Sequence, residues 1–195
     1  MIVLFDMFGV IARDQSPEVM ATMSTAPEFW DAYWAHRPAY DRGDVTASEY
    51  WALVGHPPLV EKDVASWNRV DYEMVALLHE LHNAGRRIAL LSNIPEDHAQ
   101  HFERTYAWLD LFEVRAFSCR IGHAKPDRAA FEWCRDALGD DDILFVDDRL
   151  ENVRAAELAG MRGHHFTGID GLRARLGPSL TFSANARLGP PALDE

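Results

Sequence analysis

The sequence is short of cysteine, with Cys119 and Cys134 the only two among its 195 residues. A small secreted domain that depends on disulfides normally carries more, so the sequence does not predict a disulfide framework. It also lacks any apolar run near the roughly 18 residues of a membrane-spanning helix. Its first residues, MIVLFD, have no basic segment of the kind that opens a signal peptide. We therefore expect a cytoplasmic protein that does not enter a membrane.

Basic residues are scarce as well, because 19 lysines and arginines stand against 31 aspartates and glutamates, giving a formal net charge of −12. A protein that binds nucleic acid normally presents a broad basic face, so this composition argues against that class. An anionic small molecule would instead need a local positive group, such as one lysine or a metal ion. Hydrophobic residues make up 48% of the chain, which is enough for a core in one full domain.

Short apolar runs bounded by polar residues recur along the chain and predict buried strands of a parallel sheet. Between them, amphipathic patterns predict helices over 72–84, 127–138 and 150–159. Strands that alternate with helices indicate an α/β fold, here a Rossmann-like open parallel sheet of about five strands flanked by helices. The predicted strands are Ile2–Phe5, Arg87–Leu91, Val114–Phe117, Ile143–Val146 and Arg162–Phe166.

The stretch 16–68 breaks this alternation, because it shows aromatic-rich helical patterns and no strand pattern. We interpret it as a small helical cap inserted after strand one, on a core formed by 1–15 and 69–176. The remainder, 177–195, contains three prolines and two glycines and predicts a loosely held C-terminal extension. In the cap, Trp30, Tyr33 and Trp34 recur at helical spacing, which is more typical of packing than of ligand stacking. His36 and Arg37 are expected at the surface.

Polar residues stand at the carboxyl ends of the predicted strands, the edge where ligands bind in open α/β sheets. Each of them alone has a structural explanation, such as a helix cap or a solvated lysine. The prediction of a site therefore depends on their combination. The residues are Asp6 after strand one, Ser92 and Asn93 after strand two, Asp147 and Asp148 after strand four, and Lys125 before a helix.

These residue types suit phosphoryl chemistry. Two carboxylates from different strands, Asp6 and Asp148, would repel each other unless they shared a hard cation such as Mg²⁺. Lys125 would add a positive charge for a phosphoryl group, and the Ser92 hydroxyl a neutral donor. Asp6 could then attack phosphorus and form an aspartyl phosphate, which water hydrolyses. The pattern predicts a Mg²⁺-dependent phosphatase of a small phosphorylated metabolite, acting as a monomer or homodimer.

Four segments in this order resemble the haloacid dehalogenase-like hydrolases, in the branch with a helical cap after the first strand. They are FDMFGV (5–10), LLSN (90–93), KPDRAAFEW (125–133) and LFVDDRLENVRAAELAG (144–160). The resemblance of the core covers about residues 1–13 and 72–167. Within the family, the sequence resembles the bacterial α-glucose-1-phosphate phosphatases and their relatives, and this resemblance implies a sugar phosphate as the substrate.

The resemblance implies catalytic and metal-binding roles for four residues. Asp6 matches the nucleophile, and Lys125 matches the lysine that orients it and neutralises the phosphoryl oxygens. Asp148 matches the metal-binding acid. The backbone carbonyl of Phe8 matches a further Mg²⁺ ligand.

The resemblance also implies binding and supporting roles. Ser92 matches the phosphate-binding serine or threonine, with Asn93 as its companion in phosphate binding. Asp147 stands where many relatives have glycine, so its implied role is secondary. Asn152 matches the position that supports the metal shell, where many relatives carry aspartate.

One departure leaves two alternative functions open. Phosphatases of the family typically carry a second aspartate two residues after the nucleophile, where this chain has Phe8. A positioned general acid or base is worth about 10²–10⁴ in rate. A metal-independent 2-haloacid dehalogenase, which also carries an aromatic residue there, is one alternative, and a non-enzymatic binding protein of this fold is the other. The adjacent acids Asp147 and Asp148 favour the phosphatase, since without a cation they would be poorly tolerated beside Asp6.

Overall fold

The computed structural model describes residues 1–140 and 142–177. Within these residues, five strands form one parallel sheet, in the order β3–β2–β1–β4–β5. They are β1 (Ile2–Phe5), β2 (Arg87–Ser92), β3 (Val114–Phe117), β4 (Ile143–Asp147) and β5 (Arg162–His165). The predicted Rossmann-like sheet is confirmed, with strand ends that differ from the prediction by at most one residue.

The first strand lies at the centre of this sheet, and every residue in it is buried. Phe5 is level with Leu90 on one side and with Val146 on the other. The residues that follow β1, β2 and β4 therefore emerge together at one edge. This register is what brings the predicted site residues, far apart in sequence, into one place.

The stretch predicted as a cap contains four helices, which we call the cap helices. They are α1 (Pro17–Met23), α2 (Pro27–Asp41), α3 (Ala47–Val54) and α4 (Val60–Trp67). Aromatic side chains dominate their own buried cluster, in which Tyr33, Tyr50 and Trp51 are fully buried. Tyr33 thus packs as its helical spacing predicted, whereas Trp34 is 43% exposed.

Helices cover both faces of the sheet and supply separate apolar clusters. They are α5 (Tyr72–Asn83), α6 (Glu96–Thr105), α7 (Ser118–Ile121), α8 (Arg128–Leu138), α9 (Leu150–Leu158) and α10 (Ile169–Leu176). Leucines of α5 pack on one face, and Phe131 and Cys134 of α8 on the other. In the described part of the chain, no helix has both the length and the apolar character needed to cross a membrane. The predicted C-terminal extension, apart from Gly177, lies outside the described residues.

The expectation that Arg37 lies at the surface is wrong, because its side chain is buried in a polar cluster of the cap. The residue is 4% exposed, and its Nη1 donates to Asp63 Oδ2 at 3.0 Å and to the Tyr33 hydroxyl. Its Nε donates to Asp41 Oδ1 at 2.7 Å. Burial alone would raise the pKa of Asp63, but the positive charge of Arg37 and the nearby His98 ring, 3.4 Å away, outweigh it and lower the pKa to about 2. Two carboxylates thus compensate the buried guanidinium.

The cap meets the core at a glycine that leaves no room for a side chain. Gly43 follows α2 with φ +77°, and a Cβ there would lie 2.6 Å from the carbonyl oxygen of Cys119 in α7. Gly55, which ends α3, has the same φ of +77° but no heavy atom within 4 Å of its Cβ position. Substitution of Gly55 would therefore introduce backbone strain alone, whereas substitution of Gly43 would add a steric clash between cap and core.

We expect Gly43→Ala to lower the free energy of unfolding more than Gly55→Ala does. Both substitutions place alanine in the left-handed region, at a cost of about 1–2 kcal/mol. Gly43→Ala also forces the Cys119 carbonyl to move, so its loss should exceed that of Gly55→Ala by at least about 1 kcal/mol. Urea unfolding of both variants measures this difference. Equal losses would show that the cap and core do not meet tightly at Gly43.

Candidate active site

A cavity of about 330 Å³ opens where the cap helices face the carboxyl edge of the sheet. It brings together the ends of β1 and β4, the segment before α8, and two of the cap helices. Core and cap both contribute charged and aromatic side chains to its lining. The lining side chains include Asp6, Phe8, Lys125 and Asp148 from the core, and Trp34, Arg37 and Trp67 from the cap.

Asp6 directly follows β1 and is buried at the base of this cavity. Its Oδ1 accepts a hydrogen bond from the Met7 backbone N–H at 2.6 Å and lies 2.6 Å from the Nζ of Lys125. Burial raises the pKa of Asp6 to about 7; the Lys125 charge opposes this rise and the Asp147 carboxylate reinforces it. A cation bound at this point would favour the ionised carboxylate, which is the nucleophilic form.

Lys125 is buried and lies between two carboxylates. Its Nζ is 2.6 Å from Asp6 Oδ1 and 2.8 Å from Asp147 Oδ2. Burial alone would lower the pKa of Lys125, but the two adjacent carboxylates outweigh it and raise the pKa, so the ammonium stays charged. The ion pairs thus hold the lysine charge beside Asp6.

Asn93, which follows β2, holds the Lys125 backbone in place. Its Nδ2 donates to the Lys125 carbonyl at 2.7 Å, and its Oδ1 accepts from the Lys125 N–H at 2.8 Å. Both ends of the amide are therefore engaged, while the second N–H of Nδ2 is not used in these bonds and Asn93 lines the cavity. The phosphate contact expected from the sequence stays a prediction. The arrangement is that of a residue that positions Lys125.

Asp147, the last residue of β4, is fully buried and its oxygens are well supplied with donors. Oδ1 accepts from the Arg149 N–H at 2.8 Å, and Oδ2 accepts from Lys125. The Asn152 amide donates to both oxygens, at 3.1 and 3.0 Å. Asp147 and Asn152 thus form the support on which Lys125 rests.

Asp148 differs from Asp147 because its Oδ1 is buried without a hydrogen-bond partner among the described residues. Burial and then the neighbouring Asp147 charge raise the pKa of this carboxyl. Gly9 makes room for it: a Cβ at Gly9, whose φ is +87°, would lie 2.4 Å from Asp148 Cγ. The loop after β1 therefore depends on glycine to approach this carboxylate.

The donor set fits a hard divalent cation such as Mg²⁺. One carboxylate oxygen each of Asp6, Asp147 and Asp148 lie within 4.8 Å of one another. A cation would satisfy the unpartnered Asp148 Oδ1, a buried acceptor that is costly to leave without a partner. The turn at Phe8 is closed by bonds from Gly9 N to Ala12 O and from Ala12 N to Met7 O, and the Phe8 carbonyl takes part in neither.

Ser92 ends β2, and its hydroxyl is buried without a hydrogen-bond partner in the part of the chain that the structure describes. Ser92 is not among the residues that line the cavity, so its expected contact with a phosphate stays a prediction. The Phe8 side chain occupies the position where a second acid is usual in the resembled family, and its ring packs on Trp67 and Phe102, with centroid distances of 4.7 and 5.7 Å. An aromatic ring thus takes the place of a proton donor.

Several residues that line the cavity were not predicted as site residues. The sequence favoured packing for Trp34 and the surface for Arg37, and it did not single out Trp67 of α4 or Asp14 in the loop that leads into the cap. The location of ligand sites at the carboxyl ends of parallel strands does not predict which cap residues contribute, because their position at the site depends on how the cap packs on the core. The aromatic richness of the cap was visible, but it did not show which rings face the cavity.

The chain matches one family model and several known proteins. Residues 1–160 match the model described as haloacid dehalogenase-like hydrolase. The chain is 39% identical over 102 residues to the sesquiterpene phosphatase astK of Aspergillus oryzae, and 34% identical over 92 residues to a phosphoglycolate phosphatase of Cereibacter sphaeroides. These regions cover 51% and 47% of this chain, and 52% and 42% of the two relatives. The chain thus spans roughly half the length of these curated relatives.

A solved structure shares the fold. It is a HAD family enzyme from Bacteroides thetaiotaomicron in complex with magnesium and inorganic phosphate. It is similar to this chain with a TM-score of 0.66 at 20% identity, covering 84% of this chain and 92% of that chain. The likeness at this level of identity concerns the architecture.

We expect Lys125→Met to lower the free energy of unfolding by about 3–5 kcal/mol when divalent metals are chelated, because it leaves two buried carboxylates unpaired. Adding Asp147→Asn should recover part of this loss. Lys62→Met, whose exposed ammonium donates to the Thr22 carbonyl, is the control and should change stability by about 0.5 kcal/mol or less. Urea unfolding checks all three, and similar values for the two single variants would contradict a central role for the Lys125 charge.

We expect Mg²⁺ to stabilise the protein through Asp148. A ligand that binds only the folded state adds about 2.7 kcal/mol at a hundred times its dissociation constant. Asp148→Asn should lose most of this gain, whereas Asp31→Asn, which removes an exposed acid of α2, should keep it. Thermal unfolding with Mg²⁺ and with chelator measures the difference, and an equal gain in both variants would refute the assignment of Asp148.

Proposed function

The chain belongs to the haloacid dehalogenase-like hydrolase family, and from its site we propose that it is a Mg²⁺-dependent phosphatase that hydrolyses a small phosphate ester. The observation that carries the proposal is the buried Asp6, paired at 2.6 Å with Lys125 and close to the unpartnered oxygen of Asp148. This group combines a nucleophile, a fixed positive charge and oxygen ligands for a metal. The phosphatase names of the two curated relatives support the same class of reaction.

In the proposed reaction, Asp6 attacks phosphorus and the bond from phosphorus to the alcohol oxygen breaks. The resulting aspartyl phosphate is hydrolysed by water, which releases phosphate and restores Asp6. Lys125 favours the ionised form of Asp6 and neutralises charge on the phosphoryl oxygens, and Ser92 donates its hydroxyl to them. Mg²⁺, held by Asp6, Asp148 and the Phe8 carbonyl, would supply further positive charge to the phosphoryl group.

The ring of Phe8 restricts the substrate, because no carboxylic acid at this position protonates the departing oxygen. Alcohols that leave readily through their own acidity are then favoured. Sugar 1-phosphates and aryl phosphates meet this requirement better than alkyl phosphates do. The likeness to α-glucose-1-phosphate phosphatases led to a preference for a sugar phosphate, and this finer assignment stays a proposal.

Two alternatives were left open by the sequence. A metal-independent 2-haloacid dehalogenase has to tolerate three carboxylates with oxygens within 4.8 Å of one another and one lysine among them, which disfavours it. A non-enzymatic binding protein would gain nothing from burying the charged groups of Asp6 and Lys125, which costs free energy, so this alternative is also disfavoured. The cytoplasmic location and the state of monomer or homodimer stay predictions.

We expect Asp6→Asn to lower phosphate release from 4-nitrophenyl phosphate by at least about a thousandfold in the presence of Mg²⁺, because it removes the nucleophile but little volume. The control is Asp127→Asn, which changes another acid of the cavity, at the start of α8, and should retain most of the activity. Circular dichroism verifies that both variants fold. Turnover by Asp6→Asn near that of the wild type would refute the mechanism, and chloride release from an L-2-haloacid in chelator would favour the dehalogenase.

A further inference from the structure

We propose that Phe8, Trp34 and Trp67 form an aromatic wall that binds the alcohol portion of the substrate. The geometry points to a neutral, planar, unsaturated alcohol, so the substrate class is the monophosphate of an aryl or allylic alcohol. This inference rests on the proposed phosphatase function and names the substrate class of the same site. It departs from the preference for sugar phosphates that the sequence suggested.

The three rings run in series along the cavity. The Phe8 and Trp67 centroids are 4.7 Å apart, the Trp67 and Trp34 centroids are 6.3 Å apart, and all three residues line the cavity that contains Asp6. Trp67 is 8% exposed, whereas Trp34 is 43% exposed. A large apolar side chain left open beside a catalytic cavity gains stability when a ligand covers it. The wall thus extends from the residue two places after the nucleophile to an open indole in the cap.

Neighbouring residues hold the wall in place before any ligand binds. The Trp67 indole N–H donates to the Tyr33 hydroxyl at 3.3 Å, and the Arg37 guanidinium carbon lies 5.5 Å from the Trp67 ring centroid. The Trp34 and Tyr33 rings meet edge to face, with centroids 4.9 Å apart. Rings that are already ordered lose little conformational freedom when a planar group stacks on them.

The charges on the cap side favour a neutral alcohol portion. Both arginines that the cap contributes to the cavity are paired with carboxylates: Arg37 with Asp63 and Asp41, and Arg42 with Asp44 at 2.6 Å. Their charge is therefore already compensated and offers little to a second anionic group on the substrate. A carboxylate on the alcohol portion would gain less here than an apolar plane that covers Trp34.

The chemistry of the departing group agrees with this geometry. When Asp6 attacks phosphorus, the alcohol oxygen leaves with the electron pair of the broken bond and takes its proton from water. Phe8 donates no proton, so an aryl alcohol, which is a weaker base than an alkyl alcohol, departs more readily. An allylic alcohol lacks that advantage but presents the same flat face to the wall.

The test compares how KM responds to the loss of one ring. Benzyl phosphate, 3-methylbut-2-enyl phosphate and ethyl phosphate have alcohols of similar acidity, so their differences report binding of the alcohol portion. We expect Trp34→Leu to raise KM about three- to tenfold for the first two and to leave KM for ethyl phosphate unchanged. Trp34→Phe should restore most of the affinity. The control Trp133→Leu removes a tryptophan of α8 that is 36% exposed and lies outside the cavity lining, and it should change no KM.

Each other outcome counts against the inference. An equal rise in KM for all three substrates would show a structural effect of Trp34, and no rise would show that the wall does not contact the alcohol portion. A lower KM for glucose 1-phosphate or phosphoglycolate than for benzyl phosphate would overturn the proposed class. A rise in KM in Trp34→Leu for benzyl phosphate alone would assign the substrate to the aromatic esters. A rise for the 3-methylbut-2-enyl ester alone would assign it to the allylic esters.

Failure of the phosphatase proposal gives a different result. The protein would then release no phosphate from any of these esters or from 4-nitrophenyl phosphate. The wall is still testable by calorimetric titration with benzyl phosphate and with ethyl phosphate in the presence of Mg²⁺. Tighter binding of benzyl phosphate that is lost in Trp34→Leu supports the wall, and equal binding of the two esters overturns it.

Discussion

The buried ammonium of Lys125 compensates the negative charge of two carboxylates at adjacent strand ends. Asp6 and Asp147 emerge from the neighbouring strands β1 and β4, and both are bonded to Lys125 Nζ, at 2.6 and 2.8 Å. Buried carboxylates at this separation repel each other and are tolerated only with a compensating positive charge. Asn93 fixes the lysine backbone and Asn152 fixes Asp147. The ends of three strands and the start of two helices therefore depend on one another.

In the cap as well, one buried cation compensates two carboxylates, and here the cation is an arginine. Arg37 is buried between Asp63 and Asp41, and its guanidinium also lies against the Trp67 ring. This arrangement orients one face of the cap toward the cavity. The Phe8 ring contacts Trp67 there, so a residue of the motif after β1 packs directly on the cap. Both rings line the cavity, so this contact shapes the space beside Asp6.

Sequence reasoning predicted the strand-end residues of the candidate site, and the structure adds contacts among them that the sequence does not show. Asp6, Ser92, Asp147 and Asp148 stand at strand ends and were found because parallel strands align their carboxyl ends. The side chain of Asn93 is predicted to bind phosphate, and the structure shows in addition that it holds the Lys125 backbone. The contact between Asn93 and the Lys125 backbone joins two loops, so no local sequence pattern predicts it.

The sequence by itself determined the elements and the edge at which chemistry occurs, because apolar periodicity and strand-end polarity are local properties of the chain. It also determined the family, since the four motifs keep their order and spacing. Only the tertiary structure decided that Arg37 is buried, that Asp147 supports Lys125, and that three rings line the cavity. It also decided that Asp148 Oδ1 has no hydrogen-bond partner among the described residues. Each of these depends on how the cap, the loops and the sheet pack against one another, and side chains that meet across such contacts carry no shared pattern in the sequence.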